Sequence, residues 1–239
     1  MDTDNSPGSQ VESTLEARVL ETAHRDMDVL TVLATASVIA VDIPTQGSRC
    51  SQAIQIVTLE GGLRSFWKRG DMDPPGIAGV RREVAAYELA LLLGWDDLMQ
   101  PTVLRREAVE GGTTAEVAAI ELLPSGKDDL PVTEFSNDAI QRAGVFDFLV
   151  VHQDRSGHNW RGIPIDEGHL LKLYDHELAF GIAGQTSSTF WTHIGGVVPE
   201  ELSELISERR EVVSKSEELS FLLDEPEFEA LVARMGEMG

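Results

Sequence analysis

The order in which strand and helix patterns follow one another is the feature that most constrains the fold of this chain. Runs of β-branched and alternating apolar residues predict five strands, with hairpin turns at Gly61-Gly62 and Gly111-Gly112. An amphipathic helix over 80–94 lies between the third and fourth strands, and Gly94 provides its stop signal. The strands are expected at the end of 29–43, at 53–59, 63–69, 102–109 and 115–123, and the apolar row of the helix at Val80, Val84, Tyr87 and Leu91.

The chain beyond Pro124 has a different pattern, in which helices predominate. A polar segment leads into an apolar helix over 138–152, and three short helices are expected from Pro199 onward. Between them, a short hairpin pairs 161–165 with 169–175. The sequence therefore predicts an α+β protein with two lobes: a disordered tail over 1–14, a sheet lobe with one helix over 15–123 and a mostly helical lobe over 124–239.

The charge of the chain argues against two kinds of partner. It has 41 acidic and 19 basic residues, which gives a formal net charge of −22. Nucleic acids and anionic membrane surfaces both select for clustered Lys and Arg. We therefore expect neither a nucleic-acid partner nor a membrane partner.

Cysteine content and the N-terminal segment bear on the compartment. Cys50 is the single cysteine, so no intrachain disulfide can form, and a cysteine-based zinc site is unsupported. The segment MDTDNSPGSQVEST has no basic region and no apolar core, and no run of about 18 apolar residues occurs. These features predict a cytoplasmic protein.

The polar loop 154-DRSGHN-159 carries the first chemical signal. It follows an apolar helix, and Asp175 comes sixteen residues after Asn159, at the end of the hairpin. Phosphoryl transfer needs one carboxylate that orients or deprotonates a hydroxyl group and further oxygen ligands that hold Mg²⁺. Asp154, Asn159 and Asp175 supply these groups, although the Asp-x₄-Asn spacing alone is common in acidic proteins.

Lys68 and Glu83 strengthen this interpretation. Lys68 is expected near the end of the third strand, where it would contribute little to the core, and Glu83 lies on the following helix. A kinase needs a strand lysine that contacts the phosphates and a glutamate from the next helix that holds it. Taken singly, each residue is better explained as a solvated surface position; together, in this order, they favour a kinase.

These motifs resemble those of the actinobacterial family of small proteins related to the phosphatidylinositol 3- and 4-kinase catalytic domain and, more distantly, those of the HipA-like kinases. The resemblance covers roughly residues 43–205, and it implies a kinase-like fold, ATP with Mg²⁺, and no particular lipid substrate. The segments that carry it are 67-WKRG-70, 81-RREVAAYELALLLGW-95, 101-PTVLRRE-107, 146-FDFLVVHQDRSGHNW-160, 174-YDHELAF-180 and 190-FWTHIGGVVPEEL-202.

Position by position, the resemblance implies a role for each candidate residue. Lys68 would bind the phosphates and pair with Glu83, and Asp154 would be the carboxylate of the catalytic loop. Asn159 and Asp175 would be the metal ligands. The resemblance also implies that adenine meets backbone groups of a hinge formed by Glu121, Leu122 and Leu123.

The sequence departs from the kinase pattern in two places. It has no G-x-G-x-x-G motif, so the loop 44–52 is expected to cover the phosphates, with Gly47 and Ser48 offering backbone N–H groups. Relatives commonly have glycine where this chain has Glu177, directly after the Asp-His pair.

Other interpretations remain open at this stage. His152, His158 and His176 flank the site, but their spacing matches no compact zinc motif. The chain could be an active kinase that phosphorylates a hydroxyl of a protein, peptide or small molecule, or a catalytically inactive pseudokinase that binds a nucleotide or a partner. A metal-dependent phosphohydrolase using Asp154 and Asp175 would leave Lys68 and Glu83 without a role. A lipid acceptor ranks lower because the chain is so acidic.

Overall fold

A five-stranded antiparallel sheet dominates the first half of the protein. The computed structural model describes residues 29–42, 54–72, 76–108, 112–123, 125–182 and 184–238. In the sheet the strands are ordered β1-β2-β3-β5-β4, and every neighbouring pair is antiparallel. The strands are β1 (Val38–Asp42), β2 (Ile54–Leu59), β3 (Arg64–Arg69), β4 (Thr102–Ala108) and β5 (Thr114–Glu121).

Two helical segments accompany this sheet. Residues 29–35 form helix α1 ahead of β1, and the strand predicted at the end of 29–43 is confirmed. Helix α2 (Gly76–Leu93) connects β3 to β4, as its apolar periodicity predicts. Val80, Val84 and Tyr87 of the predicted row are buried, whereas Leu91 is 38% exposed.

The second half contains a small sheet and five α-helices among its described residues. The small sheet has the order β6-β7-β8. The sequence predicted the β7–β8 hairpin, α3 and the three last helices, and it missed β6 and α4. The elements are β6 (Lys127–Asp128), β7 (Trp160–Pro164), β8 (His169–Leu173), α3 (Asn137–Leu149), α4 (Thr189–His193), α5 (Glu200–Ser214), α6 (Glu217–Leu222) and α7 (Glu225–Glu237).

The hydrophobic core explains where α2 lies. The main core joins α2, α3 and the C-terminal helices, while a smaller core that includes Leu33, Val57 and Trp67 lies under the opposite face of the first sheet. Helix α2 packs on β3, β4 and β5 on one side and on α5 and α6 on the other. It is therefore fixed between the sheet and the C-terminal helices, and its inward-facing residues are held in the interior.

Strand alternation places Lys68 on the inner face of the sheet. Side chains alternate along β3, so Phe66 and Lys68 share one face and Trp67 faces the smaller core. In the described ranges, no helix is long and apolar enough to cross a membrane. The predicted tail over 1–14 and the predicted phosphate-covering loop over 44–52 lie outside the described residues.

Candidate active site

Lys68 and Glu83 form a buried ion pair between β3 and α2. Lys68 Nζ donates to Glu83 Oε2 at 2.8 Å, and the two residues are 6% and 3% exposed. Burial alone would lower the pKa of Lys68, but the carboxylates of Glu83, Asp175 and Glu177 raise it above its ordinary value. These carboxylates therefore favour the charged, ammonium form of Lys68.

Asp175 brings a second carboxylate to the same lysine. Lys68 Nζ donates to Asp175 Oδ1 at 2.6 Å, across 107 residues of sequence. Asp175 follows β8 with φ of +64°, a left-handed conformation that few residues other than glycine adopt without cost. Glu83 fixes this turn, because Oε1 accepts from the Asp175 N–H at 3.1 Å and Oε2 from the His176 N–H at 2.8 Å. Glu83 thus positions both Lys68 and Asp175.

Glu177 adds a third carboxylate beside Lys68. The resembling kinases commonly have glycine at this position. Glu177 Oε2 lies 3.7 Å from Lys68 Nζ. Burial raises the pKa of the Glu177 carboxyl, and Lys68 opposes that shift. The single ammonium group of Lys68 therefore lies near three carboxylates, those of Glu83, Asp175 and Glu177. When all three are ionised, this part of the site has a net negative charge.

The predicted catalytic loop places Asn159 and Asp154 in different environments. Asn159 is 6% exposed, and its Nδ2 donates to the carbonyl oxygen of Asp154. Because the amide nitrogen donates to this carbonyl oxygen, Asn159 Oδ1 is the acceptor atom that can bind a ligand such as a metal ion. The Asp154 side chain is exposed, and the described residues form no hydrogen bond with its carboxylate.

Arg155 organises the loop from within and has no role in the sequence interpretation. Its side chain is fully buried, and its Nε donates to Asp147 Oδ1 at 3.1 Å. One terminal nitrogen donates to the carbonyl oxygens of Asn159 (2.6 Å) and Tyr174 (2.7 Å), and the other lies 2.8 Å from His176 Nε2. Arg155 therefore ties the catalytic loop, the Asp175 turn and α3 together.

Ser188 supports this network from α4. Its hydroxyl donates to Asp147 Oδ2 at 2.6 Å and accepts from the backbone N–H groups of Phe190 and Trp191, which caps the helix. Ser188→Ala removes the cap and leaves a buried carboxylate with one donor fewer. We expect the free energy of unfolding to fall by about 2 kcal/mol in urea denaturation.

The neighbouring Ser187→Ala provides the control for this prediction, since Ser187 is exposed. We expect its free energy of unfolding to change by less than about 0.5 kcal/mol. Equal stabilities for the two variants would show that the Ser188 hydroxyl contributes nothing to the network.

The histidines of this region connect backbone segments. His152 accepts from the Asp154 N–H through Nδ1 at 3.2 Å, and its Nε2 lies 3.0 Å from the Asp175 carbonyl oxygen. Burial lowers the pKa of His152 to about 3, so the ring is neutral and joins the two loops. Exposed His158 pairs instead with Asp129 at 2.7 Å. Within the described parts of the chain, no group of three or more His, Cys, Asp or Glu side chains is arranged to hold a metal ion.

A cavity of about 330 Å³ opens directly in front of these groups. Lys68, Asn159 and Asp175 line it, so the structure brings three of the predicted site residues to one cavity. Glu83 lies behind Lys68 and lines a second, much smaller cavity. The other residues that line the main cavity are Ile54, Phe66, Gln100, Ile120, Asp128, Asp129, His158, Arg161 and Tyr174.

Of the remaining predicted residues, the described ones, Asp154, Glu121 and Leu123, do not line this cavity. Asp154 is linked to it through Asn159. Glu121 and Leu123 follow Ile120 at the end of β5, and the Glu121 N–H already donates to the Pro101 carbonyl oxygen at 2.9 Å. Their role as a hinge stays a prediction. Gly47 and Ser48 lie outside the described residues.

Comparison with known proteins identifies the fold. No protein-family model matches the chain, and no curated protein matches it in sequence. The structure is similar to a structure of the Golgi casein kinase with Mn and ADP bound, with a TM-score of 0.62 at 12% sequence identity. A second structure of the Golgi casein kinase gives a TM-score of 0.57 at 13% identity. Each match covers 90% of this chain and 75% of the casein kinase chain. A proinflammatory kinase of Helicobacter pylori, CtkA, gives a TM-score of 0.49 at 10% identity over 86% of this chain and 93% of that one. The casein kinase similarity confirms the predicted two-lobed, kinase-like α+β fold.

Proposed function

We propose that this protein is an ATP-dependent phosphotransferase that transfers the γ-phosphate to a hydroxyl group of a protein, peptide or small molecule. The observation that carries the proposal is the position of Lys68, held between Glu83 and Asp175 in the wall of a cavity that Asn159 also lines. A phosphate-binding lysine fixed by a helix glutamate, next to two oxygen ligands, is the arrangement that kinases use.

The cavity has the composition that a magnesium nucleotide requires. Ile54, Phe66 and Ile120 form an apolar region that suits a base, and Lys68 supplies a cation for the phosphates. Asn159 Oδ1 and the Asp175 carboxylate are the hard oxygen ligands that Mg²⁺ prefers. The bound cation would neutralise charge on the phosphate oxygens during transfer. The structure of the similar casein kinase holds Mn and ADP, which supports the same ligand class here.

Four residues of the site have different roles in the proposed reaction. Lys68 binds phosphate oxygens, and Glu83 keeps its ammonium group in place. Asp154 is exposed and free of side-chain hydrogen bonds in the described structure, so its carboxylate is available to orient an acceptor hydroxyl and accept its proton. Arg155 holds the backbone of this loop against the Asp175 turn.

The proposal also covers the kinase family, the class of acceptor and the cellular compartment. The motif order supports a place near the small actinobacterial phosphatidylinositol 3- and 4-kinase-related proteins and the HipA-like kinases. The net charge of −22 favours a protein, peptide or metabolite acceptor over a lipid or a nucleic acid, and we propose the cytoplasm as the compartment. A radiolabelled γ-phosphate assay for autophosphorylation, for hydrolysis and against a panel of hydroxyl acceptors tests the activity.

Glu177 favours one alternative, a pseudokinase that binds a nucleotide or a partner without catalysis. Its carboxylate lies 3.7 Å from Lys68 Nζ and competes with phosphate oxygens for that cation. Nucleotide binding without phosphate transfer to water or to any acceptor in the panel would favour this alternative.

Nucleotide affinity should depend strongly on a divalent cation. Glu83, Asp175 and Glu177 together outweigh the single charge of Lys68, so the site repels a free triphosphate. We expect ATP to bind at least about tenfold more tightly in Mg²⁺ than in EDTA. Isothermal titration calorimetry measures the two dissociation constants, and AMP, which has one phosphate, serves as the less sensitive control. Equal ATP affinities in both buffers would contradict a metal role for Asn159 and Asp175.

A further inference from the structure

Gln100 is a buried polar residue for which the proposed chemistry has no role. It lies between α2 and β4 and is 4% exposed. Its backbone is fixed on both sides: Met99 forms a bridge with Leu173 in β8, and the Thr102 hydroxyl donates to the Gln100 carbonyl oxygen at 2.8 Å. Lys172 Nζ donates to the Met99 carbonyl oxygen at 2.8 Å. Gln100 is therefore held on a rigid segment.

The side-chain amide of Gln100 has no hydrogen-bond partner among the described residues, although it lines both the main cavity and the smaller one behind it. Neither amide atom of Gln100 is among the buried side-chain N and O atoms that lack a partner in the described structure, so the amide is accessible from the cavity. A ligand in the cavity can therefore supply hydrogen-bond partners for it.

The other polar side chains of the cavity are already engaged. Asp128 accepts from Arg161 Nε at 2.8 Å and from the Tyr174 hydroxyl at 3.3 Å. Asp129 pairs with His158 at 2.7 Å. As described above, Lys68 and Asp175 bind each other, and Asn159 donates to the Asp154 backbone. Apart from Lys68, Asn159 and Asp175, which are assigned to the phosphates and the metal, Gln100 is the polar side chain of the described lining for which no hydrogen bond to another residue is found.

The apolar neighbours of Gln100 indicate which part of a ligand it meets. Phe66 and Ile120 face each other across the β3–β5 pair, and Ile54 lies on the next strand. These three side chains provide the apolar region for a planar base, and Gln100 lines the same cavity. Ile120 also lines the smaller cavity with Gln100, so the two residues lie close together in both cavities.

We propose that Gln100 reads the base of the nucleotide and selects adenine over guanine. This inference rests on the proposed nucleotide-binding function and adds its base specificity. A glutamine amide presents a donor and an acceptor side by side, which match the N6 amino group and the N7 acceptor of adenine. Guanine presents two acceptors, O6 and N7, on the same edge, so the amide carbonyl would face an acceptor and remain unsatisfied.

The test is a comparison of three magnesium nucleotides by isothermal titration calorimetry: ATP, GTP and 7-deaza-ATP, which lacks the N7 acceptor. We expect the wild-type protein to bind ATP at least about tenfold more tightly than GTP or 7-deaza-ATP. Gln100→Met has a similar side-chain volume but no amide, so it should bind all three with affinities within about threefold of one another. Gln141→Met, on α3 and outside both cavities, should keep the wild-type preferences.

The outcomes separate this inference from the function on which it rests. If the wild-type protein binds 7-deaza-ATP as tightly as ATP, or if Gln100→Met keeps the wild-type ratio of ATP to GTP affinity, Gln100 does not read the base, whereas nucleotide binding itself stands. The 7-deaza-ATP comparison needs no variant, so it decides the question even if Gln100→Met fails to fold. If none of the three nucleotides binds the wild-type protein, the proposed function and the inference both fail.

Discussion

Replacing Lys68 by methionine is expected to lower the rate of phosphoryl transfer by at least about a hundredfold and the free energy of unfolding by about 3–5 kcal/mol at neutral pH. The first effect follows from the loss of the cation that contacts the phosphates. The second follows from burial, since Lys68 is 6% exposed and donates to Glu83 and Asp175. Methionine would leave Glu83 as a buried carboxylate without its main counter-ion.

The stability part of this prediction corrects the sequence interpretation, in which Lys68 contributes little to the core. Strand periodicity identifies the face on which a residue lies, but it does not reveal that a helix covers that face. Here α2 places Glu83 over the inner face of β3, and the turn at Asp175 closes the remaining side. Lys68 thus has a structural role as well as its proposed role at the phosphates.

A double-mutant cycle separates these two roles. Glu83→Gln combined with Lys68→Met removes both charges of the pair, so the double variant should be more stable than Lys68→Met alone. Its phosphoryl transfer should remain as low as that of the single variant, because the cation is still missing. Lys127→Met, at an exposed position of β6, is the control and should change stability by less than about 0.5 kcal/mol. Full activity in a folded Lys68→Met variant would show that the site is misplaced.

The order of elements in the first half was predictable because its contacts are local. Each of the β2–β3 and β4–β5 pairs joins strands that are neighbours in the sequence, and glycines mark the turns. The same locality makes the Lys68–Glu83 pair predictable, since the two residues lie 15 positions apart on consecutive elements. Asp175 lies 107 positions from Lys68, and its place in the site was predicted from the kinase motifs alone.

Periodicity was misleading where a helix is covered on two sides. Leu91 continues the row of Val80, Val84 and Tyr87 but is 38% exposed, whereas Leu89, Ala90 and Leu93 are buried. Helix α2 contacts the sheet on one side and α5 and α6 on the other. Its buried residues therefore do not form one apolar row along the helix. The packing of distant helices decided which residues lie inside.

Arg155 and α4 were missed for a related reason. The Asp-x₄-Asn spacing gives no role to Arg155. The apolar helix 138–152, however, contains Asp147 between two phenylalanines, and a carboxylate at such a position needs a buried cation. That signal could have identified Arg155 as its partner. Helix α4 has five residues, too few for a periodic pattern, and its start depends on Ser188, which also binds Asp147 41 residues away.

Gln100 had no sequence signal of any kind, because a single glutamine before a proline is a common loop pattern. Its significance comes from the cavity that β3, β5 and the 128–129 segment form around it. The Glu121–Leu123 hinge was inferred from the resemblance, and its backbone role stays a prediction.

Asp154→Asn is expected to reduce the rate of phosphoryl transfer by about a hundredfold to ten thousandfold while leaving the affinity for Mg-ATP unchanged. Asparagine keeps the size of the side chain but cannot accept the proton of the acceptor hydroxyl. The substitution should also leave stability unchanged, since the Asp154 side chain is exposed and the loop is held through its backbone carbonyl. Single-turnover kinetics and calorimetry measure the two quantities on the same preparation.

Asp175→Asn should behave differently, because it removes a metal ligand. We expect Mg-ATP affinity to fall at least about tenfold together with the rate of transfer. Asparagine suits this position, since its short polar side chain tolerates the φ of +64° better than most residues do, and Lys68 keeps its bond to Glu83. Thermal denaturation should confirm that the variant is folded, and Asp166→Asn, exposed in the β7–β8 turn, should match the wild-type protein in every assay.

The two variants together distinguish a kinase from a pseudokinase. A kinase requires that Asp154→Asn lose turnover at constant affinity and that Asp175→Asn lose both. If Asp175→Asn weakens nucleotide binding while the wild-type protein transfers no phosphate to water or to any acceptor in the panel, the site binds a nucleotide without using Asp154, and the chain is a binding module. If both variants bind Mg-ATP as tightly as the wild-type protein does, the metal assignment of Asp175 is wrong, and the excess of carboxylates around Lys68 must serve the fold alone.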